Sequence, residues 1–229
     1  MRRTARLLLA LAAALAVPAA ASAAGRPVVV ELFTSQSCSS CPPAEALLAE
    51  LAREGADLLP LAFHVTYWNH LSWRDTYSLP AATARQQTYA ARLGDQVYTP
   101  QAVIDGRLGL VGSEAGAVRG AIARASGAAV AEAPVALARE GGNLVVRLGA
   151  GSGAGSVTLV GFDPSHVTAV PRGENAGRTI TQANVVRSLR DIGRWTGAAQ
   201  TLTAALPQGA AAAVIVQAAD GRILGAARL

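Results

Sequence analysis

The chain has two cysteines, Cys38 and Cys41, separated only by Ser39-Ser40. A disulfide across two intervening residues closes a very short loop and restrains little of the unfolded chain. A structural staple is therefore a weak explanation, and thiol–disulfide exchange is a better one. Two thiolates at this spacing also suit a soft metal ion such as Cu(I). Cys38 follows an apolar, valine-rich run and precedes a segment in which Leu47, Leu48 and Leu51 fall at helical spacing. A thiol at such a junction faces backbone N–H groups and the positive end of a helix dipole, both of which favour the nucleophilic thiolate. Cys41, one turn further on, is expected to be less exposed and to act as the resolving thiol. Pro42 and Pro43 fit a first helical turn, where missing N–H groups matter least.

The elements that must position this pair follow from periodicity. Val28 to Phe33 and Leu58 to Val65 carry the continuous apolar pattern of strands buried on both faces. Ala44 to Arg53 and Pro80 to Leu93 have helical spacing, closed by Gly55 and Gly94. Ala102 to Ile104 and Leu108 to Val111 flank Asp105-Gly106, a two-residue hairpin turn. Ser113 and Glu114 open a last helix ending near Ser126. The order β, α, β, α, β, β, α, with a right-handed crossover between the first two strands, predicts thioredoxin topology. After a small-residue linker, Gly127 to Pro134, the pattern changes to short runs: Val135 to Arg139, Leu144 to Leu148, Val157 to Phe162 and Ala213 to Ala218. That spacing predicts a sandwich of about seven strands.

Glu31 to Ala44 (ELFTSQSCSSCPPA) resembles the signature of a bacterial secreted thioredoxin-like family of unassigned function. Three further stretches share the resemblance: Ala62 to Val65 with Tyr67-Trp68, Tyr98 to Gln101, and Arg172 to Thr179. Thr66 and Asn69 depart from an acidic preference in the second stretch. The likeness spans both halves and implies a fold and a redox class without a substrate. It implies that Thr99-Pro100, before the third strand, is a cis-proline set against the cysteine pair, with the Thr99 backbone free to pair with an extended substrate. It also brings in Glu31 as a proton relay for the resolving thiol. Counting back from Cys38, however, the thioredoxin acid falls on Leu32, and neighbouring strand residues face opposite sides. His64 ends the second strand, and the carboxyl ends of strands line the site in open α/β sheets. It is therefore a candidate modulator of Cys38 or a third metal ligand. Tyr67, Trp68, Trp73 and Tyr77 form either an apolar rim or a cover for the sheet end. His70 and His166 are expected in solvent, and Arg172 to Thr179 is expected to be a scaffolding turn held by its own Glu174 or Asn175, with docking against the redox domain as the alternative.

The start of the chain carries a targeting pattern. Arg2, Arg3 and Arg6 precede the eleven-residue apolar run Leu7 to Val17, and Ala21-Ser22-Ala23 supplies a cleavage site. All twenty basic residues are arginine. Once three leave with the signal, seventeen arginines against fifteen acidic residues give +2, scattered without a basic stripe. A nucleic-acid surface is not supported, nor is a membrane span after signal removal.

The sequence thus predicts a signal peptide over 1–23, an α/β thioredoxin-like domain over 24–130, and an all-β sandwich-like C-terminal domain over 131–229. The expected function is an exported thiol–disulfide oxidoreductase of the periplasm or exterior. Cys38 is the nucleophile and Cys41 the resolving thiol, with Thr99 and Pro100 beside them and Glu31 and His64 as modulators. No cofactor is implied, since the chemistry belongs to the thiols. The partners are protein or small thiol and disulfide substrates. The alternatives are copper delivery through Cys38, Cys41 and His64, and a non-catalytic binding module.

Overall fold

Alternation along the first strand, β1 (Val28–Thr34), decides what each of its side chains meets. Val29 and Phe33 enter one apolar core and Val28, Val30 and Leu32 another, on the opposite side of the sheet. Helix α1 (Pro42–Leu51) covers the second side through Ala44, Leu47, Leu48 and Leu51, joined there by α3 (Ala115–Ser126) through Val118, Ala121 and Ile122. Helix α2 (Pro80–Leu93) covers the first side through Ala82 and Tyr89 and ends on left-handed Gly94. Between them runs β2 (Leu58–His64), parallel to β1, while β3 (Gln101–Ile104) and β4 (Leu108–Val111) form the antiparallel hairpin on the other edge. Asp105 and Gly106 both adopt positive φ in its turn, at 50° and 67°, as a two-residue hairpin loop requires. The computed structural model describes residues 25–129 and 131–229. The expected signal peptide at 1–23 lies outside them, and no helix among the described residues is long and apolar enough to cross a membrane.

The second half is all β, as expected, with seven strands: β5 (Val135–Glu140), β6 (Asn143–Leu148), β7 (Gly155–Ala169), β8 (Thr179–Trp195), β9 (Gln200–Ala205), β10 (Ala211–Gln217) and β11 (Ile223–Arg228). Strands β5, β6 and β9 form a separate three-stranded antiparallel sheet. It faces β7, β10 and β11 across an apolar core holding Leu144, Val146, Leu148, Leu159, Val214, Leu224 and the fully buried Trp195.

The expected self-contained C-terminal unit is corrected at the sheet. Strands β7, β8, β10 and β11 continue the first half's sheet, giving one eight-stranded sheet in the order β11-β10-β7-β8-β2-β1-β3-β4. The core beneath α2 is likewise shared, with Phe33, Phe63 and Val103 packed together with Val160, Val186 and Ile215. The join itself is irregular. Pro60 lies within β2 and has no N–H to donate, and Asn184 of β8, at positive φ, donates its side-chain amide to the Pro60 carbonyl at 2.7 Å. The two long strands β7 and β8 had no counterpart of that length in the apolar pattern. They pair from Gly155↔Trp195 to Ala169↔Thr179, and the tip of their hairpin, 170–178, reaches back to the cysteines.

Candidate functional site

Cys38 and Cys41 form a disulfide between β1 and α1, with their Cα atoms 5.4 Å apart. The helix starts at Pro42, so Cys41 is its N-cap, and Pro42 and Pro43 occupy its first two positions. Cys38 therefore stands one turn before the helix end rather than on it. Both cysteines are more enclosed than expected, at 4 % residue exposure for Cys38 and 0 % for Cys41, though the order is the predicted one. Ser39 and Ser40 between them are exposed.

One side of the pair is formed by the predicted Thr99-Pro100 segment, whose peptide bond is cis. The Thr99 carbonyl oxygen lies 3.8 Å from Cys38 Sγ and accepts from Ser40 Oγ at 3.5 Å. Trp68 Nε1 donates to Thr99 Oγ1 at 2.7 Å and fixes that residue from behind. Across the loop, Trp73 donates to Gln36 Oε1 at 3.0 Å, and its carbonyl accepts from Ser37 Oγ. The aromatic loop thus braces both flanks of the pair. Thr66 and Asn69 do structural work there, with Thr83 and with Ser78 and the Asp75 backbone. His70 is exposed, whereas His166 is partly buried against Asp163 and Tyr77.

The acid that sequence reasoning nominated faces the wrong way. Glu31 sits on the α2 side of β1, where its carboxylate is held by both nitrogens of an Arg85 fork and by Tyr89 OH at 2.6 Å. The buried acid on the cysteine-bearing helix is Glu45, four residues after Cys41 and so on the same helical face. It is 3 % exposed. Its Oε1 accepts from Thr34 Oγ1 at 2.8 Å and from Gln182 Nε2 at 3.2 Å, while its Oε2 has no partner among the described residues. Burial pushes its carboxyl above the ordinary value, against the opposing His64 charge and those two hydrogen bonds. A signal for it was present: Glu45 interrupts the apolar stripe of α1.

His64 lies beside this acid, fully buried. Its Nδ1 is 2.7 Å from Asp75 Oδ2 and its Nε2 is 3.4 Å from Gln182 Nε2. Burial opposes a charged imidazole, but the Asp75 charge and hydrogen bond, with Glu45 behind them, raise its pKa above 6.5. Asp75 moves down for the matching reason: the His64 charge and the backbone N–H groups of Gln36 and Tyr77 outweigh its burial. The Cys38, Cys41 and His64 set expected for copper is not assembled. Among the described residues no group of three or more His, Cys, Asp and Glu side chains is placed to hold a metal ion.

The hairpin tip of the second half closes the site, matching the docking alternative rather than the self-bonded turn. Asn175, fully buried, donates its amide to the carbonyls of Gln36 and Cys38, both at 2.9 Å, and Glu174 Oε2 accepts from the Ser39 N–H at 3.1 Å. Gln182 and Thr168, from β8 and β7, engage the Gln36 side-chain amide. Asp75 and Gln182 carried no signal in sequence, and the partners of Gln36 and Asn175 could not be read there, because they lie far away along the chain.

The DUF1223 family, described as a protein of unknown function, matches residues 29–217. A crystal structure of a protein from Agrobacterium tumefaciens is similar at 31 % identity with a TM-score of 0.77, covering 88 % of this chain and 93 % of that one. HBP35 of Porphyromonas gingivalis shares the fold at 15 % identity with a TM-score of 0.64, covering 90 % of this chain and 75 % of that one. No curated protein matches the chain.

Proposed function

The chain belongs to the DUF1223 family, and from the site built around its disulfide we propose that it is an exported thiol–disulfide oxidoreductase on a thioredoxin-like fold. The order β1-α1-β2-α2-β3-β4-α3, with strands arranged β2-β1-β3-β4, supports that fold for the first half. The observation that carries the function is the asymmetry of the pair. Cys38 keeps a small exposure beside the Thr99 carbonyl, while Cys41 is fully enclosed at the start of the helix that carries the half-satisfied carboxyl of Glu45.

From the disulfide state, a substrate thiolate attacks Cys38 Sγ. A substrate–Cys38 disulfide forms, the Cys38–Cys41 bond breaks, and Cys41 leaves as a thiolate. A second substrate thiolate then attacks the substrate sulfur and releases Cys38. The substrate loses two electrons and two protons, and the cysteine pair gains both. The reverse sequence reduces a substrate disulfide, with Cys41 as the resolving thiol. Glu45, held toward its neutral form by burial and four residues after Cys41, is the acid we assign to proton exchange with Cys41.

Mutant trapping tests this reading. Cys41→Ser removes the resolving thiol, so Cys38 should accumulate reducible mixed disulfides with its substrates in exported fractions. Cys38→Ser should accumulate none, because Cys41 is enclosed. Equal trapping by both variants would overturn the roles. No trapping by either, with the remaining thiol shown to be free, would leave a binding module instead.

A further inference from the structure

We propose that Glu174, carried on the tip of the β7–β8 hairpin, sets the reduction potential of the cysteine pair by occupying the Ser39 N–H. The inference rests on the oxidoreductase reading and deepens it. A thiolate on Cys38 is stabilised by backbone N–H groups that point at it. From Ser39 to Ala44 those donors are nearly used up. Pro42 and Pro43 have none, Cys41 N donates to Cys38 O at 3.2 Å, and Ala44 N donates to Cys41 O at 3.0 Å. Only Ser39 and Ser40 remain to be lent to the sulfur, and Glu174 Oε2 takes the first of them. The carboxylate therefore acts twice, removing a donor and placing negative charge beside the segment between the cysteines. Both effects disfavour the Cys38 thiolate, and with it the reduced state.

The Glu174 side chain is exposed, yet its position is fixed by its neighbour. Asn175 is buried and anchored to two carbonyls of the cysteine loop. The tip is closed by Gly177 N to Val170 O at 2.8 Å, Val170 N to Arg178 O at 2.9 Å and Ala176 N to Gly173 O at 3.1 Å. Other charged groups near the cysteine loop are Arg172 and Arg178 on the same tip, Arg74 beside the Trp73 that bonds the loop, and the buried Glu45, His64 and Asp75. A change confined to Glu174 leaves all of them in place. Because Glu174 touches neither sulfur, it is a tuning residue rather than a catalytic one.

The test compares the full mature protein with Glu174→Gln, which keeps the shape, and Glu174→Lys, which reverses the charge. Two quantities are read: the pH at which Cys38 alkylation is half-maximal, and the equilibrium with glutathione. Glu174→Gln should lower the alkylation midpoint by about half a pH unit. It should shift the glutathione equilibrium about threefold toward the dithiol, or about 15 mV. Glu174→Lys should move both further, and both differences should shrink in about 1 M salt, as an exposed charge requires. A merely structural residue would give neither the graded order nor the salt dependence. If both variants match the unsubstituted protein while its pair cycles normally, the inference is wrong and the redox reading stands. If the unsubstituted pair does not exchange with glutathione at any ratio, the redox reading itself falls.

Discussion

Two buried carboxylates lie on opposite faces of the same sheet, and they are treated differently. On the α2 side, Glu31 meets a forked Arg85, Tyr89 OH at 2.6 Å and, through Tyr89, the Gln217 amide at 2.8 Å. Both of its oxygens are used, and the cluster is closed. On the α1 side, Glu45 has one oxygen bonded and the other buried with no partner among the described residues. Its neighbours His64 and Asp75 are bonded to each other, and the Asp75 carboxylate favours the charged form of His64, which opposes but does not outweigh the effect of burial on Glu45. A complete set of partners marks a group that holds the fold together. An orphaned oxygen costs stability, and this one lies one helical turn from a buried cysteine.

Both clusters draw a member from the second half, Gln217 of β10 on one face and Gln182 of β8 on the other. Removing that half breaks both at once and opens the core in which Phe63 packs with Val186 and Ile215. A fragment of residues 24–130 is therefore expected to lose cooperative unfolding entirely, against the independent domain that the change in periodicity predicts. Circular dichroism through a urea titration checks this. A sharp sigmoidal transition in the fragment would restore the two-domain division.

The next largest effect separates the two acids. Glu31→Gln leaves the Arg85 charge buried without a counter-charge and should cost about 3–5 kcal/mol, with the reduction potential unchanged. Glu45→Gln resembles the neutral acid that burial already favours and should cost about 1 kcal/mol or less, while slowing release of mixed disulfides through Cys41. Chemical denaturation and single-turnover kinetics on the same two proteins suffice. Equal stability losses, or a kinetic defect in Glu31→Gln, would erase the distinction.

Much of this was legible in sequence because it is local. The CxxC at a strand–helix junction, the Asp105-Gly106 turn and α2 from Pro80 to Leu93 rest on neighbours within a few residues, whereas the cis Thr99-Pro100 bond followed from the family resemblance. Even the failure of Glu31 was foreshadowed by strand parity, since Leu32, not Glu31, shares a face with the helix after the cysteines. The lost parts are long-range. Strands of fifteen and seventeen residues, bent by register shifts at Val157/Thr158 and Gly161/Phe162, do not keep a clean alternation of two. Asn175 reaches a carbonyl 137 residues earlier, and no local pattern encodes such a pairing.

The smallest predicted effect is a slope in stability with pH, and it arises on the α1 face. His64 is raised above 6.5 in the folded protein, so its stabilising contribution is complete below pH 6.5 and is lost as pH rises through the folded value. Asp75 is lowered below 3.8, so its contribution is complete above pH 3.8 and is lost only as pH falls through the folded value. Both are fully present between those limits. Glu45 is raised above 4.5, so its share also declines as pH climbs through its folded value. Arg85 and Tyr89 on the other face are raised further into the alkaline range. The thermal midpoint should therefore be highest in mildly acidic buffer and fall toward pH 9. Each pKa unit of His64 displacement is worth about 1.4 kcal/mol, and each kcal/mol about 2–4 °C for a chain of this size. His64→Gln should lower the midpoint in acid and flatten the alkaline limb, and Glu45→Gln should flatten it less. An unaltered slope in His64→Gln would mean that the pair it forms with Asp75 does not hold its charge, and the contrast between the two faces would lose its electrostatic basis.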